Sequence, residues 1–203
     1  MTSPQLSPVK QPAASISAWA PFQHRIFTLV WIATVISNIG GWMYSAASGW
    51  LMTTLTKDPL MVSLVQVASS LPVFIFAFPA GAWADVVDKR KFLILAETSI
   101  AVLSTAFALL VWRGLVGPHT LLLVVFVIGA AGALTAAPWQ AVVPELVPRE
   151  HLAPAVALNS LGVNVSRALG SALGGLLIAV LGVSAPFWAN GVSNAGVIGA
   201  LLW

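Results

Sequence analysis

We single out six polar or charged residues within largely apolar stretches as residues whose types could do chemistry. They are Asn38, Gln66, Glu97, Gln140, Asn164 and Arg167. An arginine well inside a membrane span costs about 2.5–3.5 kcal/mol on insertion scales and marks a site by default. A guanidinium contacts anions, a carboxylate such as Glu97 binds protons or a cation, and amides bind neutral polar groups. We interpret these residues as candidates to line a substrate or ion pathway.

Arg167 belongs to a polar stripe formed by Ser160, Asn164, Arg167 and Ser171. Spacings of four, three and four place these residues on one face of a helix. We expect this face to point into the bundle interior or a water-filled cavity. Arg167 would then contact substrate or an anion, or it would be held in a buried structural ion pair or by a backbone carbonyl, and the sequence leaves both open.

Glu97 lies six residues after Lys91, roughly 9 Å along a helix at 1.5 Å per residue. It either binds protons or a cation, or it pairs with nearby cytoplasmic basic residues or with water. Milder candidates share faces on other spans. They are Asn38, Gly41, Ser45 and Ser48 on the first, Ser63, Gln66 and Ser70 on the second, and Gln140 with Gly129, Ala133 and Ala136 on the fourth.

Small residues form a second stripe next to Arg167. Ser166, Gly170 and Gly174 recur every four residues, and Gly175 follows directly. Small residues at this spacing allow two membrane helices to approach closely. We assign Gly170, Gly174 and Gly175 to helix packing.

The composition says what kind of element must position these side chains. The chain has 203 residues, of which 59% are hydrophobic and 7% charged, and its mean hydropathy is +0.94. Soluble domains carry roughly 25% charged residues, so a soluble enzyme is excluded, as are disordered and disulfide-rich secreted classes. There are no cysteines. A net charge of +3, spread over hydrophobic sequence, does not indicate a nucleic-acid-binding surface. The composition indicates a polytopic membrane protein.

Long runs with few or no charges divide the chain into six predicted spans. A helical span needs about 20 mostly apolar residues, and helices satisfy backbone hydrogen bonds inside lipid. We therefore predict an all-α membrane protein, with a flexible cytoplasmic tail at 1–25 and a six-helix transmembrane bundle at 26–203. The spans are about 26–51, 60–84, 92–112, 120–143, 152–182 and 185–203. An end inside the sixth span, without a polar cap, is what we expect of a truncated chain.

Basic residues predict the orientation, because cytoplasmic loops carry an excess of Lys and Arg. With a cytoplasmic N-terminus, the inside segments hold Lys10, Arg25, Lys89, Arg90, Lys91 and Arg149. The outside segments hold only Lys57 and Arg113. We predict a multi-pass protein of the cell (inner) membrane with its N-terminus inside.

The segment after the second span, 81–91, reads GAWADVVDKRK. It resembles the signature loop between helices two and three of the major facilitator superfamily, in the subgroup of transmembrane secretion effectors that includes enterobactin-type siderophore exporters. The pattern departs at Val86, which is often basic in the superfamily, and at Asp88, which is usually glycine. The resemblance covers about residues 25–203, one six-helix half of such a transporter. It implies a gating loop, formed by Gly81, Asp85, Asp88, Lys89, Arg90 and Lys91.

The resemblance implies a secondary active transporter that exports small molecules by alternating access. Its partners would be the lipid bilayer, a small-molecule substrate, protons as a candidate coupling ion, and a missing C-terminal six-helix half or a second copy. The segment at 170–175 is similar to a Gly-Pro-x-x-Gly-Gly motif of proton-coupled antiporters, with Ser171 in place of proline. We expect no cofactor, metal or nucleic acid. The alternative is a six-helix channel or a non-transporting scaffold.

An intramembrane enzyme is a third class, and the sequence lacks the residues for one. An intramembrane serine protease, for example, needs a serine and a histidine that meet inside the bundle. His24, His119 and His151 all lie in the predicted tail or loops. We therefore predict that the chain is not an enzyme.

Overall fold

The computed structural model describes the backbone of residues 17–86 and 88–202, except that the side chains of 77–86, 89, 137, 140, 141 and 143 are outside the description. Within these residues there are helices and no strands, so the predicted all-α, six-helix architecture is confirmed. The helices are α1 (Arg25–Leu55), α2 (Pro59–Val86), α3 (Lys89–Trp112), α4 (Pro118–Val142), α5 (Leu152–Leu181) and α6 (Ala185–Leu202). Most of the predicted tail lies outside the described residues.

The last part of the predicted tail is structured. Ala20–Gln23 forms a 3-10 turn, and the Phe22 ring lies 5.1 Å from the Trp31 ring and 5.8 Å from the Phe27 ring, centre to centre. Aromatic pairs at these distances stabilise a contact beyond simple burial. The aromatic residues therefore fix this segment against the beginning of α1.

Local residue chemistry sets the ends of the helices. Asp88 accepts hydrogen bonds from the backbone N–H groups of Arg90 and Lys91, at 3.0 and 3.2 Å, and so caps the N-terminus of α3. Such caps satisfy donors that have no partner within the helix. Gly182 has φ +89° directly after α5. This conformation favours glycine, which is common just past a helix end.

The outer surface of the bundle is apolar, as a lipid-facing surface must be. Large side chains such as Phe74, Leu95 and Val180 are exposed. Within the described part of the chain, five helices are long and apolar enough to cross a membrane. The described part of α6 is shorter, at 18 residues. Length, composition and exposed surface together make this a membrane bundle.

The helices pack in a symmetric pattern. The most extensive contacts join α2 to α4, α1 to α5 and α6, and α3 to α6 and α4. If α1, α2 and α3 are exchanged with α4, α5 and α6 in that order, the α2–α4 pair becomes the α5–α1 pair. The α3–α6 pair is unchanged. Inverted repeats of three helices have this symmetry. At the centre, the Phe187 ring lies 5.3 Å from Tyr44 and 5.0 Å from Phe107, which joins α1, α3 and α6.

The α1–α5 contact depends on small residues of α5. A Cβ added to Gly170 would lie 2.6 Å from the Ile39 carbonyl oxygen, and one added to Gly174 would lie 3.1 Å from Cα of Met43. Ser166 on the same face donates a hydrogen bond to the Val35 carbonyl at 3.2 Å. Gly175 has open space where a Cβ would be. The backbones of α1 and α5 touch at Gly170 and Gly174 and not at Gly175.

Candidate functional site

A cavity of about 630 Å³ lies between the helices. Ligand pockets in proteins usually have volumes of about 300–1,000 Å³, so this space is large enough for a small molecule. All six helices contribute to its wall. The polar side chains that line it are Thr34, Ser37, Asn38, Tyr44, Ser45, Ser48, Gln66, Ser69, Glu97, Thr135, Trp139, Asn159, Asn190 and Asn194.

Glu97 gives the cavity wall its charge. Among the described residues that line the cavity, it is the only one that carries a formal charge. The side chain is only 6% exposed, and its Oε1 accepts a hydrogen bond from Nε1 of Trp139 at 3.2 Å. Its Oε2 is buried and has no hydrogen-bond partner in the described part of the chain. Among its described residues, the cavity wall therefore has one acidic side chain among uncharged polar and apolar ones.

Two asparagines of α6 connect three helices through a buried polar network. Asn190 donates to Oγ of Ser104 on α3 at 2.8 Å, and Asn194 accepts from Oγ of Ser37 on α1 at 3.1 Å. Asn194 also donates to the carbonyl oxygen of Asn190 at 2.7 Å. Hydrogen bonds between membrane helices are worth about 1 kcal/mol each. The network fixes how α1, α3 and α6 are aligned.

Of the predicted pathway residues whose side chains the structure describes, three lie in the cavity wall and two do not. Asn38, Gln66 and Glu97 line it. The side chain of Gln140 is outside the described residues. Asn164 and Arg167 are exposed on α5 and are not among the residues that line the cavity. The wall residues that α5 contributes are Asn159 and Val163.

The polar stripe of α5, which we expect to face the bundle interior or a water-filled cavity, does not line this cavity and lies on the exposed surface of the bundle. Ser166, Gly170 and Gly174 form the face of α5 that packs on α1. Arg167 follows Ser166 by one residue, which rotates its side chain by about 100° around the helix at 3.6 residues per turn. The close backbone contact thus decides which face turns inward, and Ser160, Asn164, Arg167 and Ser171 remain exposed.

Arg167 is not held in a buried ion pair. Its guanidinium carbon lies 4.7 Å from the centre of the Trp42 ring on α1, within the range of a cation–π contact. Trp42 is thus the partner of Arg167, whereas Tyr44 is buried in the cavity wall. This placement leaves the guanidinium N–H groups on an exposed surface.

Sequence reasoning missed Asn190 and Asn194. They stand with Ser193 in a stretch of α6 that has no charged residue to draw attention to it. The available signal was their spacing: two amides four residues apart lie on one helix face, and an amide inside a span needs a partner. Asn159 was also missed, because the predicted polar face of α5 is the one that contains Arg167, and Asn159 is not on it.

Two members of the predicted gating loop make contacts at helix ends. Asp88 caps α3, as described above. Arg90 donates from Nε to the Leu201 carbonyl at 2.6 Å and from Nη2 to the Leu202 carbonyl at 2.9 Å. Lys91 forms an exposed ion pair with Asp88 at 3.8 Å. The side chains of Asp85 and Lys89 and the surroundings of Gly81 are outside the description.

Two histidines meet where α1 and α5 begin. Nε2 of His24 and Nδ1 of His151 are 3.0 Å apart, so one ring nitrogen donates to the other. Each histidine directly precedes its helix. The pair therefore joins the beginnings of the two helices whose backbones touch at Gly170 and Gly174.

Known proteins resemble this chain along most of its length. It is 29% identical over 171 residues to the uncharacterized MFS-type transporter YfiS of Bacillus subtilis, which covers 83% of the chain. It is 23% identical over 155 residues to the staphyloferrin A transporter of Staphylococcus aureus, which covers 76% of the chain. It is 27% identical over 183 residues to the enterobactin exporter EntS of Shigella boydii, which covers 88%.

The matched region is only part of each relative. The chain spans about two-fifths of the length of the curated relatives it matches, from 39% to 42%. No solved structure matches it significantly. The model of the transmembrane secretion effector family matches residues 16–203. Together with the apolar six-helix bundle and its cavity, this match establishes that the chain belongs to the transmembrane secretion effector family of the major facilitator superfamily.

Proposed function

We propose that the chain is part of a secondary active transporter that exports a small molecule by alternating access. The observation that carries this proposal is the cavity of about 630 Å³ within a membrane bundle, lined by side chains from all six helices. Two relatives are named for siderophore transport, staphyloferrin A and enterobactin. Both names support a small-molecule substrate, and the second supports export. Transport, and not catalysis, is then the activity.

A second six-helix unit would complete the transport pathway. Transporters of this superfamily bind substrate between two related halves, and the chain spans about two-fifths of its relatives. The second unit is either a continuation of the chain or a second copy of it. We propose that Asn164 and Arg167 on the exposed face of α5 contact this unit and reach the pathway through it.

The gate is the segment from Gly81 to Lys91, on the cytoplasmic side. Two contacts support this assignment. Asp88 caps α3 and Arg90 binds the last described carbonyls of α6, so a shift of this segment changes how both helices end. Asp85 is the member whose carboxylate would favour a neighbouring helix N-terminus in the closed state. The N-terminus of the chain is then cytoplasmic, in the cell (inner) membrane.

Cysteine accessibility tests this function, because the chain has no cysteine of its own. Single cysteines replace two exposed residues in a version completed to the length of its relatives. Lys57 lies between α1 and α2, and Lys91 lies in the first turn of α3. A membrane-impermeant maleimide added to intact cells should label Lys57→Cys and not Lys91→Cys. Labelling of position 91 from outside contradicts the orientation and the position of the gate.

A third cysteine, Ser45→Cys, reports on the cavity, since Ser45 lines its wall. In an alternating-access exporter, the cysteine at position 45 reacts with reagent from one side of the membrane at a time. Added substrate or Asp85→Asn should change the side from which it reacts. Net efflux in the same cells should depend on an ion gradient. Simultaneous reaction from both sides, with efflux that ignores the gradient, would instead identify a channel.

A further inference from the structure

The free oxygen of Glu97 marks a binding point in the cavity. Oε1 accepts from Trp139, but Oε2 is buried without a donor among the described residues, and the side chain is 6% exposed. Leaving a buried acceptor unpaired is costly, and more so when it is charged. Because Glu97 lines the cavity, a group that enters from outside the chain can supply the missing partner when the side chain turns Oε2 toward it.

The basic residues nearest in sequence have other contacts. Lys91 is 83% exposed and pairs with Asp88, and Arg90 binds the carbonyls of Leu201 and Leu202. No described residue that lines the cavity carries a positive charge. The described residues that line the cavity therefore supply no cation to balance Glu97, and a cationic ligand is the chemistry that matches this wall.

Aromatic rings accompany the carboxylate. Trp139 contacts Glu97 directly, and Trp31 and Phe27 also line the cavity. Trp31 lies six residues into α1 and Glu97 eight residues into α3, about 9 and 12 Å along these helices. Aromatic faces attract cations, and the attraction grows when the cation is desolvated. A carboxylate beside an indole ring, in a cavity that further aromatic rings also line, is suited to a protonated amine that carries apolar groups.

The other unpartnered polar atom of the cavity wall lies too far away to share such a group. The hydroxyl of Tyr44 is also buried, with no hydrogen-bond partner among the residues that the structure describes. Its ring contacts Phe187, which contacts Phe107. Phe107 follows Glu97 by ten residues, about 15 Å along α3. The ammonium site is therefore local to Glu97.

We propose that the Glu97 end of the cavity binds an organic cation, an ammonium group attached to an apolar or aromatic body. The ammonium donates to Oε2 of Glu97, and the body lies against Trp139 and the neighbouring rings. This subsite rests on the proposed function only in that the cavity is taken to be the transport pathway. The binding itself is a property of the 203-residue chain.

A matched pair of probes tests the site by equilibrium dialysis against the purified chain in lipid nanodiscs. The probes are 3,3-diphenylpropylammonium and 3,3-diphenylpropanol, which share shape and a hydrogen-bond donor and differ in charge. The ammonium should bind at least about tenfold more tightly, as a charge pair near 4 Å predicts. Glu97→Gln should remove this preference and leave alcohol binding unchanged. Equal binding of the two probes by the wild-type chain overturns the proposal.

Two control variants keep the result interpretable. Glu150→Gln makes the same change of net charge at an exposed residue that does not line the cavity, and it should keep the wild-type preference. Glu97→Asp keeps the charge and should keep most of it. Loss of the preference in Glu150→Gln, or its persistence in Glu97→Gln, overturns the site. Because no transport is measured, an ammonium preference stands even where the export assay fails, and an active exporter without this preference refutes the site alone.

Discussion

The amide network of α6 and the carboxylate of Glu97 are two polar regions of one apolar wall, and they differ in how completely their atoms are paired. Asn190 and Asn194 are 2% and 3% exposed, and each is hydrogen bonded across a helix boundary. Glu97 is almost as buried, but one of its oxygens lacks a partner among the described residues. Paired groups hold helices together, whereas an unpaired group beside open space is available to a ligand.

The two faces of α5 repeat this contrast. One face is made of Ser166, Gly170 and Gly174 and lies directly against the backbone of α1. The other carries Asn164 and Arg167 on an exposed surface. Changes to the packed face should therefore reduce stability, and changes to the exposed face should reduce function.

The largest effect on stability is expected from Gly170→Ala. The added Cβ would lie 2.6 Å from both the Ile39 carbonyl oxygen and Cβ of Trp42, so the α1–α5 contact must shift. Overpacking of this kind costs about 1–3 kcal/mol of unfolding free energy. Gly175→Ala is the matched control, because nothing lies within 4 Å of its Cβ position. The measurement is unfolding in mixed micelles titrated with SDS, and equal stability of the two variants would refute the close contact.

An intermediate effect is expected from Asn190→Leu, which keeps the volume and removes the amide. Ser104 then loses its partner, and the link between α6 and α3 is broken. We expect a loss of about 1 kcal/mol of unfolding free energy in the same titration, typical of hydrogen bonds between membrane helices. Ser104→Ala added to Asn190→Leu should cost little more, because the two residues act through one bond. Additive costs would contradict the network.

The smallest effect on stability is expected from Arg167→Ala. The contact it removes is the cation–π contact with Trp42, worth about 0.5–1 kcal/mol at an exposed site. Arg167→Lys should be closer still to wild type in stability. In a version completed to the length of its relatives, however, we expect Arg167→Lys to insert normally and transport poorly, since lysine lacks the planar fork that binds carboxylates. Normal transport with lysine, or unfolding with alanine, would contradict a functional role for this face.

The sequence predicted the bundle well because charge is a direct signal of what lies in lipid. The uncharged runs led to six helices, and lone polar residues such as Asn38, Gln66 and Glu97 do lie in the cavity wall. Spacing also showed which residues of α5 share a face. It did not show which face turns inward, because that depends on the fit of Gly170 against Ile39, a contact with another helix. The amides of α6 were missed because no charged residue marks their span and their partners lie on other helices.

The contact between Arg90 and the end of α6 has a consequence for motion. Its guanidinium joins the first turn of α3 to the last described turn of α6. A displacement that separates these two turns removes two hydrogen bonds at once, and water must supply the lost donors. The hydration of the Leu201 and Leu202 carbonyls would therefore report on the distance between α3 and α6 at this end of the bundle.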